Sequence, residues 1–322
     1  MISGAHLWLL ALALILDAVI GDPDVLWQRM PHPVALLGRL IDHLVRRLNR
    51  ESLAPERRRL MGIVALAIVV IVAAGIGWAL EILFMSIAYG WIGTVIVAAV
   101  MLAGRSLYDH VAAVASAYDR HGLVAARNAI RKIVGRDPDS LDEAGLTRAA
   151  IESAAENFSD GLVAPALWFA CLGLPGLFAY KVINTADSMI GHRSPRYRDF
   201  GWAAARLDDL VNWPAARLSG FLLALTAPLA GGSVGNALRV MFAEAPTHRS
   251  PNAGWPETAM AGALGIALLG PRSYDGIPAD DPFLNTAGRT ATPADIWHAL
   301  RVYAGAWAFF FLIVVLIALV FA

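Results

Sequence analysis

From Val302 to Ala322 the chain carries no charged side chain, and the same is true from Leu60 to Leu80 and from Ile82 to Ala103. Each stretch approaches the roughly 20 apolar residues an α-helix needs to cross a bilayer core. A soluble fold of this size could not hide so much apolar surface. Composition agrees, with 57% hydrophobic and 16% charged residues against roughly 25% charged in ordinary soluble proteins. The formal net charge is zero, so bulk charge points to neither nucleic acid nor an acidic partner. Leu7 to Ile20 is apolar but lacks a basic leader, has Asp17 near its end and offers no small-x-small cleavage site before Gly21. It reads as a retained membrane helix rather than a signal peptide.

Other apolar stretches are interrupted. Leu162 to Tyr180 contains Pro165, Gly173, Pro175 and Gly176; Trp213 to Leu229 contains Pro214, Arg217 and Pro228; Ala259 to Leu269 is too short to cross. Broken segments survive at membrane depth where protein or a cavity satisfies the backbone. The expected fold is all-α: a polytopic membrane protein with about five membrane segments, some broken or re-entrant, plus amphipathic cytoplasmic helices. A single membrane-embedded domain over 1–322 is expected, with a cytoplasmic helical insertion at about 105–160. Arginines at 39, 46, 47, 50, 57, 58 and 59 put the first loop in the cytoplasm and the N-terminus outside. Lys181 to Arg206 is also basic, so Leu162–Tyr180 is expected to be re-entrant and return it to the same face. Ser140-Leu-Asp-Glu143 reads as a capping box after a Gly135–Pro138 turn. The single cysteine, Cys171, lies in an apolar run and reads as a core filler.

Three polar clusters stand out. In Ile151-Glu-Ser-Ala-Ala-Glu-Asn-Phe-Ser-Asp-Gly161, continued helix puts Glu152, Glu156 and Asp160 on one drifting face. Three carboxylates on one stripe repel unless a cation neutralises them, and Mg²⁺ bridging substrate phosphates would do so. The bland alternative is a solvated face with Arg148 paired to Glu152. Second, Asn184 and Asp187 are helical neighbours able to share a cation. Arg193, Arg196 and Arg198 follow a break at Gly191 and could hold phosphate or carboxylate; the alternative is positive-inside arginines at an interface. Third, Asp208 and Asn212 share a face with Asp209 beside them, fitting a Mg²⁺-diphosphate site or a dipole-complementing helix start. His32 and His248 lie near prolines and read as turn residues, where a lone histidine is more often structural than catalytic. No Walker loop, dinucleotide fingerprint, His-Glu-x-x-His or Gly-x-Ser-x-Gly is present.

The run Ile151-Glu-Ser-x-x-Glu-Asn-x-Ser-Asp-Gly-x-x-Ala-Pro165 resembles the signature of the adenosylcobinamide-phosphate synthases, the CobD/CbiB family. So do Tyr180-Lys-x-Ile-Asn-Thr-x-Asp-Ser-Met-Ile-Gly191, Tyr197-Arg-x-Phe-Gly-Trp202 and Ala205-Arg-Leu-Asp-Asp209. Gly21-Asp-Pro23 with Pro31-His-Pro33, and His248-Arg-Ser-Pro-Asn-Ala-Gly-Trp-Pro-Glu257, complete the match in consistent order. Phe158, where threonine is expected, is a small departure.

The resemblance implies ATP-dependent amide ligation in the cytoplasmic membrane. Adenosylcobyric acid would be joined to (R)-1-amino-2-propanol or its O-phosphate; the mechanism expected for such a step is activation of the corrin propionate by Mg²⁺-ATP as an acyl phosphate. The lipid bilayer and other late corrinoid-pathway membrane enzymes are the expected partners, and nucleic acid is not. Within the motifs, Glu152, Glu156 and Asp160 are expected to hold Mg²⁺ with help from Asn184 and Asp187. Lys181, Arg193, Arg196 and Asn157 are expected to bind the nucleotide, and Asp208 or His248 to accept the amine proton; Glu152, Glu156, Asp208 and His248 form the expected catalytic set. Two other readings are a Mg²⁺-dependent membrane transferase acting on a diphosphate or lipid-linked substrate, and a transporter or sensor with a midplane site.

Overall fold

The computed structural model describes residues 4–22, 27, 31–134, 138–192, 194–270, 272–274, 277–279 and 282–322. Among them the chain forms α1 (Gly4–Ile20), α2 (Pro33–Leu48), α3 (Pro55–Met85), α4 (Trp91–Met101), α5 (Gly104–Ile130) and α6 (Glu143–Asn157). A π-helical turn over Phe158–Val163 leads into α7 (Ala164–Ile190), then α8 (Trp202–Leu225), α9 (Val234–Glu244), α10 (Gly254–Leu264) and α11 (Ala294–Val320). Short strands β1 (Leu268–Leu269), β2 (Arg272–Tyr274), β3 (Ile277–Ala279) and β4 (Phe283–Leu284) separate α10 from α11. They pair antiparallel, β1 with β4 and β2 with β3.

Among the described residues four helical stretches are long and apolar enough to cross a membrane: Pro55–Met85, Trp91–Ile130, Glu143–Ile190 and Ala294–Val320. With the shorter apolar Gly4–Ile20 they make the protein a polytopic all-α membrane protein, as the apolar runs require. The boundaries differ from the sequence reading in two places. Glu81 does not separate two spans, because α3 continues through it to Met85 and the next helix starts at Trp91. The proline-broken segment does not end at Tyr180. Its helix is interrupted at Gly173 (φ 65°, ψ −151°) and then runs on to Ile190, so Lys181, Asn184 and Asp187 stand on a helix.

Local chemistry fixes the helix starts. His32 Nδ1 accepts from Val34 N–H at 3.2 Å to cap α2, and Pro33 supplies a preset first residue. Arg46 and Arg47 occupy the last turn of α2, where cations complement the helix dipole. For α6 the cap is Asp142, whose Oδ1 accepts from Gly145 N–H at 2.7 Å, and not the expected Ser140; Pro138–Ser140 is a 3₁₀ turn upstream. Residues 135–137 of the expected preceding turn lie outside the described residues. In α11, Arg289 grips Asp295 with two 2.6 Å bonds, and Thr292 N–H and Oγ1 donate to the same carboxylate.

The chain divides into two compact units. The first comprises Met1–Ala103, Ala164–Asn212 and Val314–Ala322. In it α7 packs along α3 and α1 packs on α4. The break in α7 is held by α3: Glu81 Oε2 accepts from Leu174 N–H at 2.9 Å, and its Oε1 lies 3.1 Å from His6 Nε2. Gly77 leaves room for the Leu174–Pro175 backbone on α3. Pro175 could not continue the preceding helical hydrogen bonding, so the carboxylate caps the half-helix that restarts at Leu174.

That half-helix runs antiparallel to α3, from Gly77 beside Leu174 back toward Ala65 and Leu66, which line a common apolar crevice with Ala186, Ile190 and Phe200. Asn49 Nδ2 donates to Arg196 O at 2.9 Å, and Arg58 also donates to Arg196 O and, at 3.1 Å, to Asn49 Oδ1. The basic 194–200 loop and the basic α2–α3 junction therefore share one end of α3.

The second unit comprises Gly104–Val163 and Trp213–Ile313. Here α9 packs on α10, and α6 packs on α5, α10 and β1. Thr226 Oγ1 donates to Val302 O at 3.0 Å, and Tyr303 OH to Gly104 O at 2.9 Å.

Candidate functional site

Each unit carries a buried polar cluster. In the first, the restarted half of α7 presents Tyr180, Lys181, Asn184 and Asp187 at helical spacing, and α8 presents Asp208, Asp209 and Asn212. Tyr180 OH donates to Asn212 Oδ1 at 2.8 Å, and both residues are buried. Asn184 Nδ2 donates to Asp208 Oδ1 at 3.3 Å, which leaves Asn184 Oδ1 as an acceptor for another ligand. Gly191 leaves no room for a Cβ against the Asp187 carboxylate, so a glycine closes the helix where that acid turns in.

Asp208 is 8% exposed. Burial, then the charge of Asp187 and to a lesser degree that of Asp209, push its pKa up to about 7, against the lowering effect of the Asn184 and Asn212 amides. Lys181 contributes positive charge felt at His32, whose pKa falls mainly through burial, against a raising contribution from Asp22. Arg206 pairs with Asp209 at 3.7 Å on the exposed side.

A dication lowers the free energy of a crowd of carboxylates, and Mg²⁺ takes only one or two protein carboxylates when phosphates and water complete its shell. The Asp187 carboxylate and the Asn184 carbonyl fit that donor set, with Asp208 held beside them by the Asn184 amide.

In the second unit the expected three-carboxylate stripe is dispersed. Glu152, 4% exposed, turns inward and accepts from Leu269 N–H at 2.7 Å. Leu269 has φ 58°, a backbone conformation this contact helps to hold. Arg148 does not pair with Glu152 as the bland alternative had it: its guanidinium lies 5.4 Å over the Phe283 ring. Glu156 is exposed. Asp160 sits on the π-turn beyond the end of α6, which changes the angular step between residues and ends the i, i+4, i+8 register. Among the described residues no three His, Cys, Asp or Glu side chains converge to hold one metal ion. Asn157 Nδ2 donates back to Ser153 O at 3.0 Å, a local helix contact.

His248 lies in the turn between α9 and α10. Its Nε2 faces Glu257 Oε2 at 3.5 Å, and Nδ1 accepts from Ser250 N–H at 2.9 Å. Burial lowers the imidazole pKa, but the Glu257 contact and charge, the Ser250 backbone and the charge of Glu156 outweigh it, and the pKa ends above its ordinary value. Gly254 allows this turn to close, because a Cβ there would collide with His248 and the Ala245 carbonyl. Beside it Arg217 is sandwiched between the rings of Trp213 and Trp255, at 4.6 and 4.7 Å, and donates to Asn252 Oδ1 at 2.7 Å.

Of the residues expected from sequence, Asn184, Asp187 and Asp208 come together, with Lys181 on the same half-helix. Glu156 and His248 interact within the second unit. Arg196 is exposed, its carbonyl bound by Asn49 and Arg58 and its guanidinium 5.2 Å over Tyr197. Arg193 lies outside the described residues. Sequence reasoning did not single out Tyr180, Asn212 as its acceptor, or Glu257 as the partner of His248; the sequence signal was their position at the ends of the motifs that carry the other residues.

The chain matches the family described as CobD/Cbib protein over residues 10–303. The chain belongs to the CobD/CbiB family. Cobalamin biosynthesis protein CobD of a Sinorhizobium species is 51% identical over 308 residues, covering 94% of this chain and 95% of that protein. The protein of the same name from Rhizobium meliloti is 49% identical over 308 residues, with 94% of each chain covered. That of Rhodobacter capsulatus is 44% identical over 317 residues, with 98% of each covered. No solved structure matches. The CobD/CbiB match takes in both polar clusters, α7–α8 and the His248–Glu257 turn alike.

Proposed function

We propose that this CobD/CbiB protein acts in cobalamin biosynthesis as the amide-forming step: adenosylcobyric acid is joined to (R)-1-amino-2-propanol or its O-phosphate with consumption of ATP. The observation that carries the reading is the Asn184–Asp187–Asp208 cluster, a partly buried amide and two carboxylates with Asp208 innermost, in a chain about half identical to proteins named for this pathway. A bound Mg²⁺ would neutralise phosphate charge and favour phosphoryl transfer. Asp187 and Asn184 Oδ1 are its ligands in this reading, and Lys181 and Arg196 are counter-charges for phosphate.

The free propionate is a poor acyl donor, since oxide would have to leave. Transfer of the γ-phosphoryl group makes an acyl phosphate, and attack by the amine then expels phosphate and releases one proton. Asp208, beside those ligands and accepting from Asn184, is the carboxylate that takes that proton in this reading. Within the second unit, His248 is a proton-accepting group of its own, paired with Glu257 and oriented through Ser250. Glu152 acts in this reading by fixing the Leu269 backbone, and Glu156 by its charge on His248. The protein works in the cell inner membrane with these groups served from the cytoplasm.

The adjacent Asp208 and Asp209 also suit a membrane transferase holding Mg²⁺-diphosphate. One assay separates the readings: purified protein is incubated with adenosylcobyric acid, Mg²⁺-ATP and aminopropanol phosphate, and the amide product is sought by mass. ATP-dependent product supports ligation. Its absence from folded, lipid-reconstituted protein, with turnover of a diphosphate donor instead, supports the transferase.

A further inference from the structure

At the arginine-bearing end of α3 a cleft of about 240 Å³ is lined by Pro55, Glu56, Arg59, Leu60, Ile63 and Asp199. None of these residues belongs to the clusters described above. The cleft is built rather than incidental. Gly62 gives no room for a Cβ against the Phe200 carbonyl, so the 199–201 backbone lies directly on α3 and carries Asp199 to the cleft. Arg58, through the Pro195 and Arg196 carbonyls, ties the same loop down. The Arg59 guanidinium is held 4.7 Å over the Trp202 ring.

The position is interfacial. At 1.5 Å per residue the 31-residue α3 is roughly 46 Å long, well beyond a hydrocarbon core of about 30 Å, so its charged first turns stand in the headgroup layer. Leu60 and Ile63 are 53% and 43% exposed and open the cleft toward the apolar surface that α3 continues.

The lining has one guanidinium, two carboxylates and an apolar wall. A purely anionic ligand would meet Arg59 and be repelled by Glu56 and Asp199. A phosphate ester carrying a primary ammonium satisfies both signs. The cleft is shallow and open on one side, a shape that holds a headgroup-sized group on its charged rim.

We infer that this cleft binds a phosphoethanolamine-type group, its phosphate on Arg59 and its ammonium on Glu56 and Asp199. The group can arrive as the headgroup of phosphatidylethanolamine or as a free amino-alcohol phosphate. The apolar wall favours the lipid, whose acyl chains would lie along Leu60 and Ile63. The second source rests on the ligation reading above; the first does not.

The test is native mass spectrometry of the full-length protein in detergent, offered equimolar dioleoyl phosphatidylethanolamine, phosphatidylglycerol and phosphatidylcholine. Since a charge-assisted hydrogen bond contributes about 1.5–3 kcal/mol, wild type should retain the ethanolamine lipid at least about tenfold over the glycerol lipid. Glu56→Gln with Asp199→Asn should bring the two near parity, and Arg59→Gln should lose both by about tenfold with helicity by circular dichroism unchanged. Should Arg59→Gln misfold, Trp202→Leu keeps the charge but frees the guanidinium, and should weaken retention of the ethanolamine lipid. Displacement of that lipid by soluble phosphoethanolamine or aminopropanol phosphate, but not by inorganic phosphate, would assign the site to the free ester. Equal retention of all three lipids by wild type, with no effect of the soluble esters, or retention indifferent to all these variants, would overturn the inference.

Discussion

Replacing Asp208 by asparagine should make the protein more stable at alkaline pH while removing a group that the proposed chemistry needs. Asp208 is buried, and its pKa rises from 3.8 to about 7. A difference of that size corresponds to roughly 4 kcal/mol of preference for the uncharged acid in the folded state. The sign follows from linkage. A carboxyl whose folded pKa is raised contributes its full stability below pH 4, and loses it as pH climbs through 4 toward 7, because the unfolded chain releases the proton first. Above about pH 7 both states are ionised and the loss levels off.

Asparagine does not titrate and still accepts from Asn184. The stability of Asp208→Asn relative to wild type should therefore rise between pH 4 and 8 by up to about 4 kcal/mol. The assay is reversible unfolding in detergent with chelator, followed by tryptophan fluorescence at a series of pH values. Saturating Mg²⁺ should shrink the wild-type loss, because a bound dication favours the carboxylate. A stability difference that stays flat from pH 4 to 8 would show that Asp208 keeps an ordinary pKa and that the buried acid cluster has been misread.

Asp187→Asn should lower ligation by at least about tenfold and raise the Mg²⁺ concentration required, the range seen when metal-site partners are removed; Mg²⁺-titrated turnover reads it, and unchanged Mg²⁺ dependence refutes the ligand role. Glu81→Ala should destabilise the first unit by about 1–3 kcal/mol, since the Leu174 amide loses its acceptor, and this is measured by thermal unfolding. Glu257→Gln should move the His248 titration to lower pH, because burial then outweighs the remaining raising contributions; histidine NMR follows it, and an unmoved titration disproves the pairing. In a Cys171→Ser background, Arg47→Cys and Arg198→Cys should label from the same membrane face, and labelling from opposite faces would contradict the shared end of α3.

The membrane architecture was legible because the apolar stretches are long enough to declare themselves one at a time. Asn184 and Asp187 were legible as a pair because one helix sets their spacing, and Asp208 with Asn212 for the same reason. What joins the two pairs is the approach of α7 to α8, which no local period encodes. The carboxylate stripe failed through an assumption of uniform helix: the π-turn after Asn157 resets the register before Asp160, and Glu152 turns to a backbone amide 117 residues away. The Ser140 capping box failed because Asp142 competes for the same orphan amides and wins as the residue next to the helix. Glu81 looked like a helix boundary because its partners are His6 and Leu174, both distant in sequence.

The carboxylate that caps the broken helix also constrains how the protein is made. Glu81 leaves the ribosome 93 residues before Leu174. At about 5–20 residues per second, α3 waits roughly 5 to 19 seconds before the amide that will cap against it exists. During that interval the carboxylate sits one turn from the end of the helix, beyond its apolar stretch and near enough to the interface to remain hydrated. His6, made earlier, can already face it at 3.1 Å, but the Leu174 amide reaches it only when the later half-helix arrives. One end of α3 therefore carries a cap for a helix that is synthesised afterwards.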